Sequence, residues 1–362
     1  MKYIDEYRDK AKIHELSEAI SRLSKKEISL MEVCGGHTFA IHKFGLPSLL
    51  PATIHLISGP GCPVCVSSQS FLDKAIAFSR LKNSIIVTYG DLIRVPGTRS
   101  SLEKEKAKGK DVRIVYSALE ALEIAQSNQK KQVIFLGIGF ETTAPASAAL
   151  IIKAKELNLE NLYLFSAHKI MPPVMEALVT EGIRIDGFIA PGHVSAITGS
   201  GIYTGLSYNH RLGVVISGFE PVDILQSILM LVRQLENAGP KVEIQYKRVV
   251  KPAGNSVALK LIRKVFEPAD DEWRGLGVIR KSGLKLRREY SAFDAETTIS
   301  VKVGKSLLPK GCICGEVLKG LKTPSECKLF AKVCTPMSPV GACMVSGEGA
   351  CGVYFRHNRT ND

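Results

Sequence analysis

The sequence predicts a parallel α/β protein that ends in a loop-rich, cysteine-dense segment. Three observations lead there. Short β-branched runs alternate with helical patterns through the first two thirds of the chain. Most of these runs end in a polar, glycine-rich turn, and in open α/β sheets ligands sit beyond the C-terminal ends of the strands. The nine cysteines form two groups, with none between Cys65 and Cys312.

Taken in order, residues 1–26 carry Ile13, Leu16, Ile20 and Leu23 at helical spacing, which predicts an amphipathic helix. Residues 28–33 read as a strand running into Cys34-Gly35-Gly36-His37-Thr38. Residues 53–57 run into Gly59-Pro60-Gly61-Cys62-Pro63-Val64-Cys65, and 84–88 into Tyr89-Gly90-Asp91. A strand at 112–116 precedes a helix at 118–126, and 132–137 runs into Gly139-Phe140-Glu141-Thr142-Thr143. Residues 161–165 precede a helix opened by Pro172 and Pro173, where proline in the first turn is tolerated. Strands at 187–190 and 213–217 run into Pro191-Gly192-His193-Val194 and Gly218-Phe219-Glu220-Pro221. The repeated Gly-Phe-Glu is a faint internal echo, as two related lobes would leave. Beyond residue 241 helical periodicity fades, and residues 305–362 read as irregular turns that metal ligation would hold together.

Composition narrows the function classes. A chain of 362 residues suggests two or three domains. No segment has the roughly 18 uninterrupted apolar residues of a membrane span, and the charged first ten residues are unlike a signal peptide. A cytoplasmic location with reduced thiols is expected. Net charge is +13, and residues 241–290 hold 13 Lys/Arg against 6 Asp/Glu. Without a nucleic-acid-binding motif, that basic stretch reads as a solvated face or a surface for acidic partners.

Cys312, Cys314, Cys327, Cys334, Cys343 and Cys351 contain neither the Cys-x2-Cys knuckles of structural zinc nor a ferredoxin run. Spacing leaves an iron–sulfur cluster or zinc as leading options, with buried free thiols as the plain alternative. A 4Fe-4S cluster takes four ligands, and the two thiols left over would suit a reducible disulfide. Cys62-Pro63-Val64-Cys65 opens a helix, where thiols become reactive, although it also fits half a metal site or a structural turn. Cys34 and His37 suit either a soft metal or a nucleophile–base pair. Glu141 reads equally as a functional carboxylate or a helix cap. Asp91, Thr142, Thr143, His168 and His193 are further strand-end polar groups, whereas His42 and His55 read as structural.

Assembled, these motifs resemble the HypD family of NiFe-hydrogenase maturation factors. The resemblance runs from about Glu32 to Phe355. It includes the Arg94-Val95-Pro96-Gly97 turn, Pro191-Gly192-His193-Val194-Ser195 and the pattern Cys312-x14-Cys327-x6-Cys334-x16-Cys351. It implies two similar parallel-sheet α/β lobes plus a loop-rich iron–sulfur domain. Boundaries of 28–125 and 126–240 are expected for the lobes, with 1–27 and 241–362 forming the third domain. It implies one 4Fe-4S cluster on Cys312, Cys327, Cys334 and Cys351, with Cys314 and Cys343 as the leftover pair beside it, as in ferredoxin–thioredoxin reductase. It implies partners: a HypC-type small chaperone, a HypE-type cyanide donor loaded by HypF, and the hydrogenase large subunit reached through HypC. Neither nucleic acid nor membrane is among them. The expected role is a redox-active scaffold rather than a conventional turnover enzyme, building iron with cyanide and carbonyl ligands. Cys34 would anchor that iron, with His37, Cys62, Cys65 and Glu141 around it. The rival reading is a stand-alone iron–sulfur thiol–disulfide oxidoreductase working through Cys62 and Cys65.

Overall fold

A computed structural model describes residues 4–237 and 239–357. Eleven strands appear among them: β1 (Ile28–Glu32), β2 (Ile54–Ser58), β3 (Ser84–Thr88), β4 (Val112–Ile114), β5 (Gln132–Gly139), β6 (Leu162–His168), β7 (Gly187–Pro191), β8 (Gly213–Ser217), β9 (Val242–Ile244), β10 (Phe266–Trp273) and β11 (Gly277–Leu286). One sheet has the order β2-β1-β7-β8-β9 and another β4-β3-β5-β6. Every pairing in both is parallel. Strands β1, β3, β7 and β8 are buried at every position, which is why they read as continuous apolar runs rather than alternating ones.

The two sheets do not follow a division at residue 125. The chain lays down β1 and β2, crosses to build β3 to β6, then returns for β7 to β9. The return is fixed at β1, where Leu30 pairs with Gly187 and the Ser29 N–H donates to Asp186 Oδ2 at 2.8 Å. Gly187 leaves the space this needs, since a Cβ there would stand 3.1 Å from both the Gly213 carbonyl oxygen and Leu231. Periodicity reports that a strand exists, not which strand it pairs with, so a contiguous reading of the lobes misses the crossing. The two copies of Gly-Phe-Glu nonetheless fall in different sheets, after β5 and after β8.

The N-terminal helix, Lys10–Leu23, is capped by Asp9, whose Oδ1 accepts from Ala11 N and Lys12 N. Fully buried Ile20 joins a core with Ile28, Ile224 and Ile228, so this helix lies on helix Pro221–Glu236 of the first lobe. That one burial is worth about 2 kcal/mol. Just before this helix, Tyr7 lies under the Arg248 guanidinium of the segment beyond residue 241, at 3.8 Å. Antiparallel β10 and β11 cover the second lobe through Phe266, Leu284 and Leu286. The hairpin escapes a sequence reading because Glu267 and the run Asp270-Asp271-Glu272 break any apolar alternation in β10, and Pro268 interrupts it.

The tail contributes short helices, Cys314–Leu318, Ala342–Val345 and Ala350–His357, joined by turns. It is not peripheral. One continuous core contains Met31, Phe188 and Ile216 of the first sheet, Ile86, Ile134 and Phe165 of the second, and Cys314, Leu318, Ala342 and Cys343 of the tail. Among the described residues no helix is long and apolar enough to cross a membrane.

Candidate functional site

Cys34 sits at the end of β1 in extended conformation and caps helix Gly35–Lys43 with its carbonyl, which accepts from His37 N (2.8 Å) and Thr38 N (3.1 Å). Its own N–H donates to Glu32 Oε2 at 3.0 Å. The Gly59-Pro60-Gly61 turn is pressed directly onto it. Gly59 N donates to Glu32 O and Gly35 N to Gly61 O, and a Cβ on Gly61 would stand 2.1 Å from Cys34 N. Only glycine permits that approach. It brings Cys62, the next residue, beside the Cys34 loop. From the tail, Glu348 closes over the same loop, since a Cβ on Gly35 would stand 2.6 Å from Glu348 Cβ.

The electrostatics of this corner follow from burial. Burial pushes the Cys34 thiol up to about 12, with Glu348 and Glu32 adding to the effect. Burial likewise pushes Glu32 up to about 8, although the Thr38 hydroxyl and Cys34 N–H both donate to it. Anion formation on Cys34 therefore needs an incoming positive charge. His37 is fully buried and pushed down to about 4 by desolvation. Its Nε2 lies 3.0 Å from Gly218 O, and a carbonyl only accepts, so Nε2 carries the proton. Nδ1 is left as a bare lone pair with no partner. The ring is held by stacking on Phe219 at 4.6 Å, and Phe219 stacks in turn on His193 at 4.1 Å.

Cys62 caps the turn Pro63–Val66, its sulfur accepting from Cys65 N at 3.3 Å. Cys65 is fully buried and its thiol is pushed well up by desolvation, with Cys343 and Cys62 as hydrogen-bond neighbours. Cys343 in turn neighbours Cys314, Cys351 and Cys65, and Cys314 neighbours Cys312. A succession of sulfurs thus runs Cys312, Cys314, Cys343, Cys65, Cys62, from the tail into the first lobe. All nine cysteines are free thiols.

The six tail cysteines, with Ile313, Val317, Leu329, Phe330 and Met344 among their neighbours, line one small apolar cavity. Among the described residues no group of three or more His, Cys, Asp or Glu is gathered tightly enough for a single metal ion. A multi-iron cluster has different needs: soft sulfur donors spread around an apolar space. All six tail thiols offer such donors around this cavity, and Val340 N already donates to Cys334 Sγ at 3.4 Å.

Glu141 is buried at the end of β5, and desolvation pushes it up to about 7. Its Oε1 accepts from Met171 N (3.1 Å) at the start of helix Met171–Thr180, so it caps a helix other than its own, while Oε2 has no partner. Buried Tyr203, bonded to Ser195 Oγ at 3.1 Å, is within electrostatic reach of both Glu141 and Cys34. Asp91 accepts from Ser346 Oγ at 3.0 Å and so ties the second lobe to the tail. The remaining strand-end groups are structural or peripheral. His168 is satisfied by Ser147 and Ser166 on its two nitrogens, Thr143 bonds back to Ile138 O, and Thr142 is exposed. His55 pairs with Glu27 on the surface, and His42 makes a tilted ring contact with Tyr354. Glu32, Glu348 and Tyr203 were not among the residues singled out from the sequence. A charged residue closing an apolar strand could have pointed to Glu32, and a Ser-Gly-Glu-Gly turn between two cysteines to Glu348. Nothing in the sequence flagged Tyr203.

Comparison with known proteins bears on the whole of this constellation. The HypD family model, described as "Hydrogenase formation hypA family", matches residues 11–358. The chain belongs to the HypD family. Among its relatives, the hydrogenase maturation factor HypD of Azotobacter vinelandii is 44% identical over 99% of this chain and 97% of its own length. HypD of Escherichia coli K12 is 42% identical over 99% of both chains, and that of Rhizobium leguminosarum bv. viciae 44% identical over 99% and 96%. The interleaved lobes, the Cys34 corner and the six-thiol cavity are therefore features of a HypD-family hydrogenase maturation factor.

Proposed function

We propose that this chain is the redox-active scaffold on which iron acquires cyanide and carbonyl ligands before delivery to a hydrogenase. The observation that carries this reading is the unbroken succession of thiols from the six-cysteine cavity to the turn pressed against Cys34. Iron is the cargo and Cys34 its anchor. The Cys34 thiol, held high by burial, gives up its proton as it ligates iron, and His37, kept neutral by its own burial, lines the same corner with Nδ1 unpartnered. Glu141, poised near neutrality, is a second proton-holding group within reach of Tyr203.

The thiols move electron pairs. A Cys343 thiolate attacks the Cys65 sulfur of a Cys62–Cys65 disulfide, and Cys62 leaves with the bond's electrons. Cys314 then attacks Cys343 and frees Cys65. In net terms the Cys62/Cys65 pair gains two electrons and two protons, and Cys314–Cys343 becomes the disulfide. A 4Fe-4S cluster held by Cys312, Cys327, Cys334 and Cys351 supplies single electrons when bound. The partners that fit are a HypC-type chaperone sharing the iron, a HypE-type cyanide donor loaded by HypF, and the hydrogenase large subunit as recipient through HypC. Anaerobic copurification with the small partner tests the reading. Infrared stretches of cyanide and carbonyl on iron are expected, and their absence from an iron-replete complex rejects it.

A further inference from the structure

Arg274 lies between the two cysteine segments. Its N–H donates to Val66 O at 2.9 Å and its Nε to Ser67 O at 2.9 Å, directly after Cys62–Cys65. The next residue, Gly275, is packed on Gly315, directly after Cys314, so closely that a Cβ would stand 2.4 Å from Gly315 Cα. The residue is 1% exposed, and both Nη1 and Nη2 lack a partner. No carboxylate among the described residues pairs with it, whereas the other strongly buried cation, Lys169, has Asp271. A guanidinium always carries its charge, and burying one without an anion is strongly unfavourable. Its charge acts on Cys312 and Cys314, and Cys312 is one of the four ligands proposed above.

We infer that Arg274 is the internal counter-charge of the iron–sulfur cluster, a positioning residue whose guanidinium offsets the anionic thiolate cage and holds its reduction potential up. This rests on the cluster assignment made under the proposed function. The reasoning is electrostatic: adding an electron makes the cage more negative, and a fixed cation nearby favours that state, because net charge and hydrogen bonds to sulfur set such potentials. The same residue is tied to the Cys62–Cys65 turn, so it couples the geometry of the two thiol segments.

The test uses full-length protein with its cluster in place. In wild type labelled with [15N]arginine, pulsed electron paramagnetic resonance of the reduced cluster should detect a nearby guanidinium nitrogen. In Arg274→Met, the ratio of oxidised to reduced cluster at the wild-type midpoint should rise about tenfold, which is about 59 mV for a one-electron couple. Arg274→Lys, which keeps the charge, should recover most of that shift. A cluster that shows no nitrogen coupling in wild type overturns the inference even if neither variant folds. An unmoved potential in a folded Arg274→Met overturns it as well. Wild-type protein that holds no iron and sulfide overturns the cluster assignment and this inference together.

Discussion

The two cysteine groups reach their positions by different physics. Cys34, Cys62 and Cys65 stand on turns that leave buried parallel strands, and each is fixed by backbone: Glu32 on the Cys34 N–H, Gly61 against Cys34, Cys62 capping its own turn. The sheet would hold them there with nothing bound. The six tail cysteines hang on helices of four to eight residues and on turns, around an apolar cavity. Such a segment has little regular structure to fix it, and the cluster proposed for it would supply the missing free energy. The first group is set by the fold; the second, on that proposal, helps to make its own fold.

The sharpest way to break that contrast is to remove a tail ligand. Cys334→Ala should abolish iron and sulfide binding, against about four of each per wild-type chain, and make residues 305–357 cleavable under limited proteolysis while the α/β lobes stay resistant. If the tail stays protected without its cluster, it folds unaided and the contrast fails. The mirror experiment is Gly61→Ala. The obstruction is the Cys34 backbone rather than a movable side chain, so the loss should lie near 3 kcal/mol, the upper end for overpacking. Denaturant unfolding measures it, and iron and sulfide content should be unchanged. A loss of cluster in this variant would show that the two groups are not independently fixed.

A smaller effect concerns the second lobe alone. The folded protein holds the Glu141 proton more tightly than the unfolded chain, since burial raises it from 4.5 to about 7. Its contribution is complete below pH 4.5 and is lost as pH rises through 7. Between pH 5 and pH 8 the wild type should therefore lose about 2.5 kcal/mol that Glu141→Gln does not. Parallel pH profiles for the two proteins would mean that Glu141 is not held in a desolvated site.

The same contrast explains what could be read from the sequence. Most strands of the two sheets were legible because buried parallel strands leave apolar runs of the right length, and 84–88 and 213–217 match β3 and β8 end to end, whereas the three-residue, half-buried β9 was not read. The Cys34, Cys62 and Glu141 turns were legible because they sit at strand ends. Strand order was not, because the Leu30–Gly187 pairing joins segments far apart in the chain. The β10–β11 hairpin was hidden by its polar outer face. Tyr203 and Arg274 were hidden because burial, which gives them their chemistry, is a property of the packed molecule.

The proposed scaffold role depends most directly on Cys34. Wild type and Cys34→Ala, each purified anaerobically with the small HypC-type partner, should be compared by infrared spectroscopy, with iron and sulfide measured in the same samples. Cyanide and carbonyl bands are expected in the wild type and should vanish in the variant, while the variant keeps about four iron and four sulfide per chain. Bands at wild-type intensity in Cys34→Ala would contradict the claim that this residue anchors the iron.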